Sequence, residues 1–244
     1  MSNNLKINSI ETLGTHEGPG IRFVIFTQGC NYKCLFCHNP ETQSLDSGKE
    51  ILIDELISKI KKYQPYFGKK GGVTISGGEP LLQAKGLIRL FSKLKKMRIN
   101  TALDTNGSLV TSDVEKLLKL TDLVLLDIKH IDEDWHKKIT NHLNNMPLKF
   151  AKFLEDNNIK FWIRYVLVPG LSDQEEHLRK FCSHFQQYKN LERVEILPYH
   201  TLGITKYKEL GMKYSLDKTE IPNDNLITKT KHILEENFKM VVIR

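Results

Sequence analysis

The sequence predicts an α/β fold: a parallel sheet curled into a partial (β/α)6 barrel of TIM-like layout. Three observations carry that expectation. Six apolar runs rich in β-branched and aromatic residues alternate with helical-period segments from about residue 21 onward, which is the pattern of βα units. No linker, low-complexity stretch or change of composition interrupts them, so residues 1–244 read as one domain, with the barrel core over about 21–200 and a C-terminal helix and strand over about 201–244. Polar motifs stand at the C-terminal end of nearly every expected strand, the end that forms the active face of such barrels. Right-handed crossovers allow a barrel or a doubly wound sheet, and six units instead of eight imply a barrel open at one side.

Ile21 to Thr27 is the first expected strand, and Glu50 to Tyr63 the first helix, with Ile53, Leu56, Ile57 and Ile60 on one face. Val73 to Ser76 is a strand, followed by a helix around Leu87, Leu90, Phe91 and Leu94. After the short strand Thr101 to Asp104, a helix opens near Thr111, where Thr111, Ser112 and Asp113 can cap the turn before Val114, Leu117 and Leu118. Leu123 to Ile128 is continuously apolar, as in a parallel strand buried on both faces, and a helical stretch follows through Phe153. Phe161 to Val168 is stopped by Pro169-Gly170, and Asp173 to Tyr188 is its helix, with Leu178, Phe181, Cys182 and Phe185 inward. Val194 to Leu197 is the sixth strand; a last helix near Asn225 to Phe238 leads into Met240 to Ile243.

Of 244 residues, 40% are hydrophobic and 27% charged, enough for a sizeable core and too apolar for a disordered chain. No run approaches the roughly 18 apolar residues of a membrane helix, and Met1 to Glu17 is polar where a signal peptide carries an apolar core, so a cytoplasmic, membrane-free protein is expected. The net charge is +7, but lysines such as Lys59, Lys61, Lys62 and Lys93, Lys95, Lys96 fall in helical runs that read as solvated faces, and no nucleic-acid partner is expected.

The 4 cysteines are unevenly placed. Cys30, Cys34 and Cys37 form a C-x3-C-x2-C run after the first strand, whereas Cys182 lies on an apolar helix face and reads as core. Three thiolates on one loop suit an iron–sulfur cluster or zinc, the latter with His38 as fourth ligand. With three ligands for four irons, one iron would be left to bind a substrate. Ser76-Gly77-Gly78-Glu79 ends the second strand, where two glycines allow a ligand close to the backbone and Ser76 and Glu79 are polar handles. Asp104-Thr105-Asn106-Gly107 ends the third and Asp127-Ile128-Lys129 the fourth; Asp127 and Lys129 flank Ile128, so both point to one side of an otherwise apolar strand and read as ligand-facing. Arg164, inside an apolar strand, expects a ligand's anion or a core acid, and His200 stands at the end of the sixth strand.

These residues resemble the radical S-adenosylmethionine superfamily, in Cys30, Cys34 and Cys37 with Phe36 before the last cysteine, and in Gly77-Gly78-Glu79. The closer resemblance is to its activases of glycyl-radical enzymes, through Gly18-Pro19-Gly20-Ile21-Arg22, Gln28-Gly29-Cys30, Cys37-His38-Asn39, Gly48-Lys49-Glu50, Leu103-Asp104-Thr105-Asn106-Gly107, Trp162-Ile163-Arg164-Tyr165-Val166 and Leu197-Pro198-Tyr199-His200. It implies an oxidoreductase with the radical SAM fold, in which a 4Fe–4S cluster on Cys30, Cys34 and Cys37 cleaves S-adenosylmethionine reductively. The resulting 5′-deoxyadenosyl radical takes a hydrogen from a glycine loop of the protein partner, pyruvate formate-lyase. S-adenosylmethionine would contact Phe36, Cys37, His38, Gly78, Asp127, Ile128, Lys129, Arg164 and His200. A monovalent cation would sit on Asp104, Thr105, the Leu125 carbonyl and Asp127. Reduced flavodoxin or ferredoxin would donate the electron to an anaerobic, monomeric enzyme. One departure stands out: the family has Asp before Gly-Pro-Gly, and this chain has Glu17. The lack of a second cysteine group argues against activases with extra clusters.

Overall fold

The computed structural model describes residues 3–244, so Met1 and Ser2 of the polar N-terminal stretch lie outside the described residues. The chain packs as two compact units: the chain up to Asn31 with Glu41–Leu125, and Tyr32–Pro40 with Leu126–Arg244. Among the described residues no helix is long and apolar enough to cross a membrane.

In the first unit the elements are β1 (Asn4–Gly14), β2 (Arg22–Thr27), β3 (Lys49–Leu52), α1 (Ile53–Tyr63), β4 (Gly72–Gly77), α2 (Ala84–Lys96), β5 (Asn100–Thr105), α3 (Ser112–Leu118) and the start of β6 (Leu123–Asp127). The strand order is β3-β1-β2-β4-β5-β6. Parallel pairing of β2 with β4 and of β4 with β5 follows from the βα connections expected of the apolar runs. Phe23, Val24 and Ile25 are all buried, as a strand covered on both faces requires. Helix α1 buries the expected Ile53, Leu56, Ile57 and Ile60, and α2 buries Leu87, Leu90, Phe91 and Leu94. Thr111 caps α3 by accepting from the Val114 amide at 3.3 Å.

Two features depart from the all-parallel expectation. Strand β1 pairs antiparallel with β2 and with β3. Residues 50–52, expected to open the first helix, belong to β3 together with Lys49; they satisfy their backbone groups along β1, and the helix begins at Ile53 with Asp54 and Glu55 in its first turn.

The second unit holds the end of β6, then α4 (Glu133–Thr140), α5 (Asn145–Asp156), β7 (Phe161–Leu167), α6 (Glu175–Phe185), β8 (Leu191–Pro198), α7 (Ile204–Glu209), α8 (Asp224–Glu235) and β9 (Val241–Ile243). Its strand order is β6-β7-β8-β9, with β7–β8 and β8–β9 parallel. The helical stretch expected through Phe153 is two helices, because Asn141 takes a left-handed φ of 65° and ends α4. Helix α6 starts at Glu175, not at Asp173, whose carboxylate instead accepts from the Gly170 amide at 2.9 Å and closes the Pro169-Gly170 turn. Cys182 is core as expected: it is buried on α6, where its thiol points to the Ile233 carbonyl at 3.7 Å.

His130 turns the chain between β6 and α4. Its Nδ1 accepts from the Asp132 amide at 3.0 Å, its buried Nε2 has no hydrogen-bond partner among the described residues, and burial pushes the imidazole down to about 4. His177 and His136 oppose protonation further, while Asp132 favours it. The unfolded chain, whose imidazole has the ordinary value of 6.5, therefore takes up the proton first as pH falls. This contribution to stability is complete above about 6.5 and is lost as pH falls through 4. His130→Asn keeps an acceptor for the Asp132 amide and removes the titration. Urea denaturation between pH 6.5 and 4 should show the variant losing stability less steeply than wild type, by up to about 1.4 kcal/mol per pH unit.

Candidate functional site

The expected site residues divide between the two units. In the first, the Gly77-Gly78-Glu79 end of β4 is pressed against the chain leading to Cys30. A Cβ on Gly78 would stand 2.1 Å from the Gly29 carbonyl oxygen, and one on Gly77 would stand 2.4 Å from the Thr27 nitrogen. Both glycines thus permit a close approach of the chain's own backbone. Gly77 also takes a φ of 106°, open to glycine alone at little strain. The Gly78 and Glu79 amides donate to the Thr27 and Gly29 carbonyls at 2.9 and 2.8 Å.

Glu79 is fully buried. Its carboxylate accepts from the Leu81 amide at 3.0 Å, the Thr105 hydroxyl at 2.6 Å and the Asn106 amide at 2.8 Å. Burial pushes this carboxyl up to about 7, against the three donors that pull it down. Asn106 in turn donates to the Asn31 side chain at 3.3 Å, and Asn31 donates to Ser108 at 2.8 Å. Of the residues read as cation ligands in this unit, Thr105 donates to Glu79 and Asp104 accepts from the Ser76 hydroxyl at 2.7 Å. Leu125, whose carbonyl was the third, is fully buried.

Arg22 was read only as part of a motif, yet it is fully buried in strand β2. It donates to Thr74, to the Val73 carbonyl at 2.8 Å, to Asn100 Oδ1 at 3.1 Å and to the Pro19 carbonyl at 3.2 Å. Thr74 donates to the Glu17 carbonyl at 2.7 Å. Arg22 therefore pins the loop that carries Glu17; the signal in the sequence was an arginine opening an apolar strand.

In the second unit Cys34 and Cys37 lie half-buried, with the Cys37 amide donating to the Cys34 carbonyl at 3.1 Å. Burial pushes the Cys34 thiol up to about 12, while Lys129 pulls it down. Asp127 and Lys129 do share one side: their charged groups meet at 2.7 Å, and the Lys129 ammonium lies 5.6 Å from the centre of the Phe36 ring. Ile128 between them is core, and its amide donates to the Arg164 carbonyl at 3.2 Å. The His38 and His200 rings lie with centroids 4.0 Å apart, tilted by 32°, and His38 Nε2 lies 3.2 Å from the His200 carbonyl oxygen. The Nε of Arg164 lies 3.7 Å from Oε2 of fully buried Glu195.

The donor set fits an iron–sulfur cluster. Cys30 in the first unit and Cys34 and Cys37 in the second stand on one eight-residue stretch, none in a disulfide, with the Lys129 cation acting on Cys34. Each can serve a separate iron, so they need not converge on one point. Among the described residues no three His, Cys, Asp or Glu side chains converge on a single-ion site.

Glu79→Gln keeps the shape but turns an amide donor toward at least one of the three donors that the carboxylate satisfies. Urea denaturation should show a loss of about 1–3 kcal/mol. An unchanged midpoint would mean that the network carries no stability.

Comparison with known proteins places these residues in a lineage. Residues 24–182 match the family described as the Radical SAM superfamily. A pyruvate formate-lyase-activating enzyme of Staphylococcus epidermidis is 44% identical over 244 residues, covering 97% of each chain. Among solved structures, a domain of a pyruvate-formate lyase-activating enzyme from Bacteroides vulgatus aligns with TM-score 0.60 at 24% identity, over 70% of this chain and 98% of that one. Streptococcus suis SuiB bound to S-adenosylmethionine aligns with TM-score 0.67 at 16% identity, over 91% of this chain and 49% of that one. At those identities the structures speak for the fold alone, that of a mostly parallel α/β sheet. The chain belongs to the radical SAM superfamily and, within it, to the family of pyruvate formate-lyase-activating enzymes.

Proposed function

We propose that this chain activates pyruvate formate-lyase by installing a glycyl radical, its two units acting as one catalytic domain. The observation that carries the reading is the C-x3-C-x2-C thiol run standing directly after β2, within a family match that runs through both units. When bound, a 4Fe–4S cluster supplies one electron to the sulfonium of S-adenosylmethionine, whose 5′-deoxyadenosyl fragment takes hydrogen from a glycine of the partner.

The chain's own residues bind, orient and exclude water. Cys30, Cys34 and Cys37 hold the cluster. Phe36, His38, Gly78, Ile128 and His200 line the S-adenosylmethionine site together with Cys37. Lys129, already positioned by Asp127 at 2.7 Å, brings a cation to the ligand's carboxylate. Arg164 is the further candidate on β7. Asp104, Thr105, the Leu125 carbonyl and Asp127 hold a monovalent cation beside that carboxylate. Reduced flavodoxin or ferredoxin supplies the electron, and the +7 charge suits acidic donors of that kind. The enzyme works as a cytoplasmic monomer; four cysteines outside any disulfide agree with a reducing compartment.

Anaerobic reconstitution with iron and sulfide, followed by reduction, should give the paramagnetic resonance of a 4Fe–4S cluster. Mixing with S-adenosylmethionine and pyruvate formate-lyase should then give a glycyl-radical signal. Protein that binds one zinc and no cluster would overturn the assignment. Reductive cleavage of S-adenosylmethionine without a glycyl radical would move the partner to another enzyme. Single Cys30→Ala, Cys34→Ala and Cys37→Ala variants should remain folded by circular dichroism, yet be colourless and inactive; a structural zinc site would instead unfold.

A further inference from the structure

The chain from Cys37 to Asn39 has no regular secondary structure, yet it carries the last thiol and the first residues expected to meet S-adenosylmethionine. A segment outside helix and sheet must be held by other means if it is to present a ligand reproducibly. Its holders come from His200 and α7. Besides the His38–His200 contact described above, Lys206 donates from its ammonium to Asn39 Oδ1 at 2.9 Å. Gly203, the residue before α7, is packed so closely that a Cβ there would stand 3.1 Å from His38 Cδ2, 3.3 Å from His38 Cα and 3.5 Å from the Cys37 carbonyl oxygen.

This holder is itself rooted. Tyr207 of α7 stacks edge-on with Tyr214 at 4.8 Å, the Tyr214 hydroxyl donates to Tyr199 at 2.9 Å, and the Tyr199 hydroxyl donates to the Leu216 carbonyl at 3.3 Å. Those tyrosines share one apolar cluster with Phe36, and Cys34 and Ile204 pack against it. Thus α7 and the cysteine loop stand on the same buried base, and Lys206 and Gly203 join them above it.

We propose that the His200–Glu209 segment clamps Cys37–Asn39, and that Lys206 and Gly203 are positioning residues for S-adenosylmethionine. Lys206 fixes the Asn39 end, and Gly203 leaves the room in which the His38 backbone lies. Neither residue touches the reacting atoms; each acts through the loop. The inference rests on the assignment of Cys37 and His38 to that ligand.

The test uses the full-length, anaerobically reconstituted protein and its Lys206→Met, Lys206→Arg, Asn39→Ala and Gly203→Ala variants. Iron content and the resonance of the reduced cluster should match wild type in all. Equilibrium dialysis should show S-adenosylmethionine bound about five- to tenfold more weakly by Lys206→Met and by Asn39→Ala, with no further loss when the two are combined. Lys206→Arg should restore binding, and the weakening should enter KM more than kcat. Amide hydrogen exchange over residues 36–40 should quicken in the two weakened variants. Gly203→Ala should weaken binding without lowering the melting temperature, because its φ of −72° and ψ of −18° are helical and alanine suits them.

Wild-type affinity in Lys206→Met and Asn39→Ala, with the cluster intact, would overturn the clamp while leaving the proposed activity standing. So would a weakened Lys206→Met that Lys206→Arg does not rescue. A wild-type protein that forms a cluster yet binds no S-adenosylmethionine would overturn the underlying assignment and the clamp with it.

Discussion

The buried carboxylate of Glu79 is the constraint on which the first unit's working end depends. Burying a carboxyl without partners is costly, and here three donors from two segments converge on it. One comes from the turn after β4 and two from the end of β5. The Glu79 amide meanwhile fastens the same residue to the Gly29 carbonyl, at the start of the cysteine loop. The C-terminal ends of β2, β4 and β5 are therefore tied through one residue. This explains why glycines precede it: any side chain at position 78 would collide with Gly29 before the knot could close.

The second unit solves a comparable problem with opposite charges. Glu195 on β8 is fully buried, and Arg164, Arg193 and Arg244 approach it at 3.7, 3.3 and 3.2 Å. The last of these sits just past β9, so a single acid gathers β7, β8 and the end of the chain. Removing one partner from such a group would leave buried charge uncompensated, which usually costs more than the intact group contributes. The strand end that presents Tyr199 and His200 is thus backed by electrostatics, and the loop above it by the tyrosine cluster.

Much of this was legible in the sequence because burial writes itself as periodicity. The apolar faces of α1 and α6 appear residue for residue, as does the core role of Cys182, and on α2 the expected Leu87, Leu90, Phe91 and Leu94 are joined by Ala84 and Gly86. What escaped notice was set by pairing. Strand β1 buries only Leu5 and Ile7 toward its start and reads as polar, and residues 49–52 become strand because β1 offers them partners. The two-helix break depends on Asn141 tolerating a left-handed backbone, a weak signal beside the apolar residues around it. The pairing of Asp127 with Lys129 was legible because two charges ended an apolar strand, whereas the knot around Glu79 draws two of its three donors from backbone amides that no side-chain pattern reveals.

The same backbone logic bears on the loop that carries Glu17. That loop is held at several points. The Glu17 carbonyl is held by Thr74, Thr74 and the Pro19 carbonyl are held by buried Arg22, and Gly20 lies so close to Gly71 that a Cβ would stand 2.5 Å from its nitrogen. The Glu17 carboxylate reaches over Gly14, 2.9 Å from where a Cβ would be. The carboxylate therefore lies back over the end of β1, on a backbone whose place is set by Thr74, Arg22 and the close approach of Gly20 to Gly71.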